Sequence, residues 1–187
     1  MSESTKPHYL LSVGEYLALE RGSSVRHEYV GGELYAITGA SRRHNRIALN
    51  IARRLADAAE GSPCRVYVSD MKVRVEEAFY YPDVMVCCER PPEDEYTEDA
   101  PCVVVEVLSP STEGTDRREK LAAYERIPSL KAYVIVAQDE RLVTHYARDE
   151  TGRWRRGDLT GEGRLPVSCP EGAELTLDEV YAGVEGL

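Results

Sequence analysis

A single carboxylate interrupts an apolar run in the second half of the chain. Glu106 follows three consecutive valines and precedes a valine and a leucine, within the segment Val103–Leu108. A lone carboxylate in a buried strand is costly unless it is paired, protonated or bound to a metal. Strand alternation places Glu106 on one face with Val104 and Leu108. Glu106 is therefore a candidate metal ligand, and a buried Arg or Lys partner is the alternative.

A second carboxylate, Asp83, begins another apolar strand. It follows Pro82 and precedes the run Val84–Cys88, and proline is tolerated there because the first residue of a strand need not donate to the ladder. If the two strands are neighbours, Asp83 and Glu106 can converge on one hard cation such as Mg²⁺, which takes one or two carboxylates and keeps water and phosphate oxygens. A separate basic partner for each acid remains the alternative.

A lysine lies in the helix that the sequence predicts over residues 115–127. Asp116 and Lys120 are four residues apart, on the side of this helix that carries its apolar residues. One interpretation is an ion pair within the helix. The other is that Lys120 reaches the two carboxylates, where an ammonium group can orient a water nucleophile or neutralise charge developing on a phosphate.

Two further candidates precede these residues. His44 begins a helix, predicted over His44–Ala59, whose apolar residues recur every four positions, and it shares their buried side. A lone histidine on an apolar face is more often structural than a base or a ligand. Glu28 lies in a predicted strand, where it can be the outward-facing member of the alternation.

The net charge is negative but unevenly distributed. There are 23 Lys and Arg against 33 Asp and Glu, which gives −10, whereas a general nucleic-acid-binding protein is normally basic. Glu89–Asp99 holds six acids and one arginine, and Ser41–Arg54 holds five arginines and no acid. Arg42, Arg43 and Arg46 begin a helix, where the dipole favours anions, so phosphate contact and a solvated basic face both fit. DNA binding should then be weak, salt-sensitive and confined to one face.

The composition is that of a folded chain with a substantial core. With 42% hydrophobic and 30% charged residues it is neither disordered nor collagen-like, and its 187 residues fit one domain. No apolar run approaches the roughly 18 residues of a membrane span, and Met1–Pro7 lacks the apolar core of a signal peptide. The five cysteines are an odd number without a C-x-x-C pair, so neither a disulfide framework nor a zinc site is expected. We therefore expect a cytoplasmic protein without a membrane segment.

The predicted elements form one α/β domain over residues 1–187. A capping box at Ser12–Glu15 begins a short helix, and Gly31 and Gly32 supply the positive φ of a tight hairpin. The remaining expected elements are, in chain order, the helix His44–Ala59, the strand Arg65–Glu76 with Lys72 and Arg74 on its polar face, the strands Asp83–Cys88 and Cys102–Leu108, the helix over 115–127, the strand Ala132–Ala137 with its hairpin partner Arg141–Ala147, and a tail of short strands with a closing helix capped at Thr176.

These motifs together resemble a known family. The pattern consists of Pro82-Asp83, the block Glu106–Thr112, then Asp116, Lys120 and Tyr124, and the strand Ala132–Val136, with Glu28–Glu33 and His44 upstream. From about Ser12 to Ala147 the chain resembles the Uma-two family of restriction endonuclease-like proteins. The resemblance implies a PD-(D/E)xK nuclease fold, with a mixed central sheet flanked by helices and preceded by an N-terminal helix and hairpin.

The resemblance also implies a site. Asp83 would match the aspartate of the motif and Glu106 its second acid, while the main-chain carbonyl of Val107 would add a metal oxygen. The position of the motif's lysine, two residues after Glu106, is Leu108. Lys120 on the following helix would then replace that lysine, and Glu28 and His44 become site residues without an assigned role.

The implied function is that of a Mg²⁺-dependent endodeoxyribonuclease, with Mn²⁺ as a substitute ion, DNA as substrate, a homodimeric assembly and no organic cofactor. The alternative is a catalytically inactive module that keeps the fold for protein contacts or dimerisation, which Leu108 and the acidic balance favour. A small-molecule hydrolase has little support, since the chain lacks a Gly-x-Ser-x-Gly elbow and a Gly-rich phosphate loop.

Overall fold

The computed structural model describes residues 10–109 and 116–187, with the side chains of residues 116 and 117 left out. The helices are α1 (Val13–Gly22), α2 (Arg42–Ala59), α3 and α4 (Leu177–Val180), where α3 is a π-helical turn, Asp116–Lys120, that continues as an α-helical turn, Leu121–Tyr124. The strands are β1 (His27–Val30), β2 (Glu33–Ala36), β3 (Arg65–Val68), β4 (Lys72–Val75), β5 (Ala78–Tyr80), β6 (Val84–Cys87), β7 (Thr97–Glu98), β8 (Pro101–Val107), β9 (Ala132–Val136), β10 (Val143–Arg148), β11 (Trp154–Leu159), β12 (Arg164–Val167) and β13 (Ala173–Thr176).

The central sheet has six strands in the order β11-β10-β9-β8-β6-β3. Its β8 and β9 strands are parallel and the other neighbours are antiparallel, so the predicted mixed central sheet is confirmed. All seven residues of β8 and all five of β9 are buried, as expected for strands covered on both faces.

Helices cover both faces of this sheet. Ile47, Ile51 and Leu55 of α2 are fully buried against the face that carries Val105 and Val107. Residues of α3 pack on the opposite face, in the cluster that holds Val104 and Leu108. The four-residue spacing in α2 therefore produced the predicted apolar stripe, which fixes the first turn of α2 at the end of β6 and β8.

The N-terminal elements match their predictions. Ser12 Oγ accepts from the Glu15 amide at 3.3 Å, and the Glu15 carboxylate accepts from the Ser12 amide at 2.8 Å, which completes the capping box of α1. The two glycines between β1 and β2 have φ values of 59° and 92°. This left-handed backbone favours glycine and closes the hairpin.

The single strand expected over Arg65–Glu76 was wrong. The Met71 amide donates to the Val68 carbonyl at 3.3 Å, closing a turn, and β3 and β4 on its two sides belong to different sheets. The second sheet has the order β2-β1-β5-β4-β7, and β12 with β13 forms a third. Lys72, expected on a polar face, is only 7% exposed, and its ammonium lies 5.8 and 5.7 Å from the ring centroids of Tyr81 and Tyr96.

The helix expected over residues 115–127 is shorter and less regular. Its α-helical part is one turn, and the chain then continues to Ile127 through tighter turns such as that closed by the Ile127 amide on the Tyr124 carbonyl at 3.0 Å. Helices often end in such tightened turns. Residue 115 lies outside the described residues.

The cysteine prediction was also wrong. Cys64 pairs with Cys88 and Cys102 with Cys169, across 24 and 67 residues, while Cys87 is free and buried. Spacing along the chain could not reveal these pairs because the sheet and the tail bring the sulfurs together. None of the helices in the described residues is long and apolar enough to cross a bilayer, and the cytoplasmic location stays a prediction.

Candidate functional site

A cleft of about 830 Å³ lies where β6 and β8 meet the first turn of α2 and the start of α3. Its lining includes every site residue predicted from the sequence, which are Glu28, His44, Asp83, Glu106, Val107 and Lys120. These residues come from five separate elements or their ends, spread over 93 positions of the chain from 28 to 120. The cleft is therefore the candidate functional site.

The two predicted metal acids lie on adjacent strands. Val84 of β6 pairs with Val105 of β8, so one further step in this antiparallel register places Asp83 opposite Glu106. The Val107 amide donates to Asp83 Oδ2 at 2.7 Å. Both carboxylates thus occupy the same end of the same strand pair, so the condition that the two strands be neighbours is met.

His44 contacts Asp83 from the opposite side. Its Nε2 lies 3.3 Å from Asp83 Oδ2, and both side chains are largely buried. His44 is held at the start of α2, where the Ser41 hydroxyl caps the helix by accepting from the His44 amide at 3.1 Å. The imidazole and the Val107 amide therefore converge on one oxygen of Asp83, which fixes the direction of the carboxylate.

Lys120 bridges two carboxylates inside the protein. Its ammonium lies 3.1 Å from Glu106 Oε1 and 2.8 Å from Glu28 Oε1. The side chains of Lys120 and Glu106 are each only 5% exposed, so the interaction is weakly screened by water. Geometry thus favours the second of the two interpretations of Lys120, in which it reaches the acids on the sheet.

Glu28 points into the cleft. The alternative of an outward-facing strand residue is wrong, since its carboxylate accepts from the Tyr81 amide at 3.2 Å as well as from Lys120. Tyr81 is two residues before Asp83, so Glu28 connects the N-terminal hairpin to the segment that carries Asp83.

Two tyrosines complete the surroundings of Lys120, and sequence reasoning did not assign them to the site. The Tyr124 hydroxyl donates to Glu106 Oε1 at 3.0 Å, and the Tyr80 ring lies under the Lys120 ammonium at 5.9 Å. Burial, followed by the charge of Glu106, raises the pKa of Tyr124 well above its usual value. It therefore remains a hydrogen-bond donor at neutral pH. The available signal was the place of Tyr124 in the family pattern, four residues after Lys120, although a tyrosine at that spacing is also typical of helix packing.

Several sequence candidates lie elsewhere. Arg42, Arg43 and Arg46 are exposed on the first turn of α2, beside the cleft rather than in its lining. Lys72 lines a separate cavity of about 260 Å³ with Glu20 and Tyr96. The Asp116 side chain and residues 110–112 of the Glu106–Thr112 block lie outside the described residues.

The donor chemistry of the cleft suits a hard divalent cation. Asp83 and Glu106 offer carboxylate oxygens from neighbouring strands, and Val107, whose amide donates to Asp83, also lines the cleft. Oxygen ligands of this type are those preferred by Mg²⁺ and Mn²⁺. The carboxylates of Glu28, Asp83 and Glu106 outnumber the basic side chains that contact them, Lys120 and His44. A bound cation would therefore be favoured electrostatically at this site.

The mixed sheet, with helices on both faces and the acids at one strand end, defines a restriction endonuclease-like fold. The family described as "Putative restriction endonuclease", Uma2, matches residues 13–178. This chain belongs to that family.

Known proteins agree with this assignment. Two proteins of Synechocystis sp. are similar to the chain: "Uncharacterized protein sll1609" is 34% identical over 82% of this chain and 89% of its own length, and "Uncharacterized protein slr1290" is 32% identical over 95% of each. A crystal structure of a "putative nuclease belonging to DUF820" from Anabaena variabilis superposes with a TM-score of 0.74 at 18% identity, covering 91% of this chain and 97% of that one. That likeness concerns the fold.

Proposed function

We propose that the protein is a Mg²⁺-dependent endonuclease that hydrolyses DNA phosphodiester bonds, with Mn²⁺ as a substitute ion. The observation that carries the proposal is the 3.1 Å approach of Lys120 to Glu106, a residue on the strand next to Asp83. Leu108 occupies the motif's lysine position and is buried. The lysine that the strand lacks is thus supplied by α3, and the site has two acids and a lysine in one cleft.

Asp83, Glu106 and the Val107 carbonyl would hold the ion. When bound, Mg²⁺ supplies Lewis acidity toward a water molecule and a phosphate oxygen. Lys120 orients the attacking water and neutralises the charge that grows on the phosphate as the new oxygen–phosphorus bond forms and the old one breaks. His44 orients the Asp83 carboxylate. Glu28 positions Lys120 through its ion pair, and Tyr124 positions Glu106 through its hydrogen bond.

DNA would approach along the first turn of α2. This 18-residue helix directs its N-terminus at the cleft through Ser41, His44 and Asn45, and three exposed arginines flank that turn. Helix N-termini and arginines both favour phosphate. A homodimer stays part of the proposal because an isologous pair is the common arrangement of soluble oligomers.

The direct test is cleavage of a supercoiled plasmid with Mg²⁺ or Mn²⁺. We expect Asp83→Asn and Lys120→Met to lower the rate at least about 100-fold, the scale of losing one preorganised group in a transition state. Lys131→Met is the matched control, because Lys131 is exposed and directly precedes β9. Equal cleavage by all four proteins would place the activity elsewhere.

One observation favours the second candidate, an inactive module. The acids already have partners in Lys120, His44 and Tyr124, so the network can stabilise the fold without metal. Wild-type protein that neither cleaves DNA nor binds Mn²⁺, yet is destabilised by loss of Lys120, would support this candidate over the nuclease.

A further inference from the structure

Four cysteines meet at the end of the central sheet that is remote from the cleft. Cys64 directly precedes β3 and Cys88 directly follows β6, while Cys102 lies at the start of β8. The pairs Arg65–Cys87 and Cys87–Pro101 place these three strand ends side by side. Asp83 and Glu106 occupy the other ends of β6 and β8, so this four-cysteine cluster is separate from the candidate nuclease site.

A β-bulge directs Cys102 toward the other sulfurs. Val86 pairs with Val103 but Cys87 pairs with Pro101, so Cys102 is the extra residue on β8. An extra residue of this kind re-aims its side chain, and Cys102 accordingly packs on the same face as its neighbour Val103. The fourth cysteine, Cys169, comes from the loop between β12 and β13.

The sulfurs are closer together than two separate disulfides need. Cys88 Sγ, bonded to Cys64, also lies 3.0 Å from Cys169 Sγ and 3.5 Å from Cys102 Sγ. The ligand atoms of Cys64, Cys88 and Cys169 all lie within 4.8 Å of one another. A tetrahedral tetrathiolate with zinc–sulfur bonds of about 2.3 Å has sulfurs about 3.8 Å apart. Cys64, Cys88 and Cys169 are already grouped on that scale, and Cys102, which is bonded to Cys169, joins them through its 3.5 Å approach to Cys88.

Burial and composition favour the same ligand. Cys102 and Cys169 are 5% and 4% exposed, and the other two are half-buried, as in a closed structural site. Four sulfur ligands without an oxygen select soft or borderline ions, of which Zn²⁺ takes tetrahedral Cys₄ sites. Cys87 is excluded because it packs in the core on the opposite face of the sheet.

We propose that the reduced four-cysteine cluster binds one Zn²⁺ ion and thereby fastens the tail hairpin β12–β13 to three strands of the central sheet. Two equivalents of a phosphine break both S–S bonds and give four thiols: each phosphine gives two electrons and leaves as its oxide, and two water molecules supply the oxygen atoms and the four protons. Two equivalents of a dithiol do the same by giving four electrons and four protons and leaving as their own disulfides. Zn²⁺ then displaces the four protons as four sulfur–metal bonds form.

The test uses the full chain, purified without a metal-affinity tag, reduced with a phosphine and equilibrated with Zn²⁺ before passage over a chelating resin. We expect one zinc per chain by mass spectrometry and five thiols in the denatured reduced protein. Cys88→Ser and Cys169→Ser should retain at least about tenfold less zinc. Cys87→Ala is the matched cysteine control, and Asp83→Asn controls for zinc bound by the carboxylates of the cleft. Both variants should retain one zinc ion per chain.

A measurement on the wild type alone covers the case in which the serine variants fail to fold. Co²⁺ in place of Zn²⁺ should show the visible d–d bands and sulfur charge-transfer band of a tetrahedral tetrathiolate. The proposal is overturned by a folded, reduced chain that has five free thiols and no zinc, by disulfides that survive the reductant, or by an octahedral Co²⁺ spectrum.

Discussion

Lys120 contributes to the stability of the fold as well as to the proposed catalysis. It is the ammonium between Glu28 and Glu106, at 2.8 and 3.1 Å, with almost no exposed surface. Removing one member of a buried ion pair leaves an uncompensated charge, which costs far more than losing a surface pair. An activity loss in a Lys120 variant therefore needs a companion measurement of stability.

We predict that Lys120→Met lowers the free energy of unfolding by about 3–5 kcal/mol in EDTA. Part of this loss should return with Mg²⁺, because a cation held by Glu106 and Asp83 replaces the missing positive charge. Lys131→Met should change stability by less than about 0.5 kcal/mol in both buffers. Urea unfolding of the wild type and the two variants in each buffer measures these free energies. A Lys120→Met loss that is the same in EDTA and in Mg²⁺ would argue against a metal ion at Asp83 and Glu106.

At the scale of elements, α1 is attached to the site through one buried carboxylate. Glu20 of α1 accepts from the His27 amide at 2.9 Å, contacts the His27 ring at 3.0 Å and accepts from the Tyr81 hydroxyl at 2.9 Å. Burial raises the pKa of Glu20, but these hydrogen bonds outweigh it and the pKa is lowered. Glu20 therefore fastens α1 to β1 and to the segment leading into Asp83.

The lowered pKa gives a defined pH dependence. The ionised Glu20 carboxylate stabilises the fold fully above the pKa of glutamate in the unfolded chain, about 4.3. This stabilisation is lost as the pH falls through the lower pKa of Glu20 in the folded chain. We expect Glu20→Gln to cost about 1–3 kcal/mol at pH 7 and the difference from wild type to shrink below about pH 4. Urea unfolding at several pH values tests this, with exposed Glu162→Gln as control; a difference independent of pH would contradict it.

The elements also show which parts of the fold local patterns could reveal. Period-four apolar residues predicted α2, and unbroken apolar runs predicted β6, β8 and β9. The alternating residue types through Arg65–Glu76 fitted extended chain on both sides of a turn, but they carried no sign that the chain changes sheets there. Lys72 was misplaced for the same reason, since its face is decided by the second sheet.

A site residue could be predicted from the sequence where its type was unusual for the local pattern or where it belonged to the family pattern. A carboxylate among valines marked Glu106, and the family pattern added Lys120, Glu28 and His44. Tyr124 also belonged to that pattern, but it was not assigned to the site because a tyrosine on an apolar helix face is ordinary core. The cysteine pairs were hidden because they form across 24 and 67 residues.

For the whole molecule, the distribution of charge matters more than its total of −10. The arginines at the start of α2 are exposed beside the cleft. Those on the edge strand β11 are also exposed, but Arg155 and Arg156 pair with Asp149 and Asp158 at 2.8 and 3.2 Å. Of these two groups, the α2 arginines are thus the better placed to release counterions from DNA bound at the cleft.

We predict that replacing Arg42, Arg43 and Arg46 together with alanine weakens DNA binding. It should also reduce the slope of log K against log salt by about 2–3, at about 0.9 per phosphate contact. The matched control is the triple alanine variant at Arg153, Arg155 and Arg156, which should leave the slope unchanged. Fluorescence anisotropy in EDTA at several salt concentrations measures binding without cleavage, and equal slopes in both variants would contradict this binding face.

The proposed mechanism depends on a divalent cation held by Asp83 and Glu106 beside Lys120. Crystals soaked in Mn²⁺ and measured for anomalous scattering test it most directly. We predict one strong peak in the cleft, within about 2.0–2.3 Å of a carboxylate oxygen of each acid, and no peak in Asp83→Asn crystals soaked in the same way. A wild-type cleft without an anomalous peak, with Lys120 still bridging Glu28 and Glu106, would contradict the account.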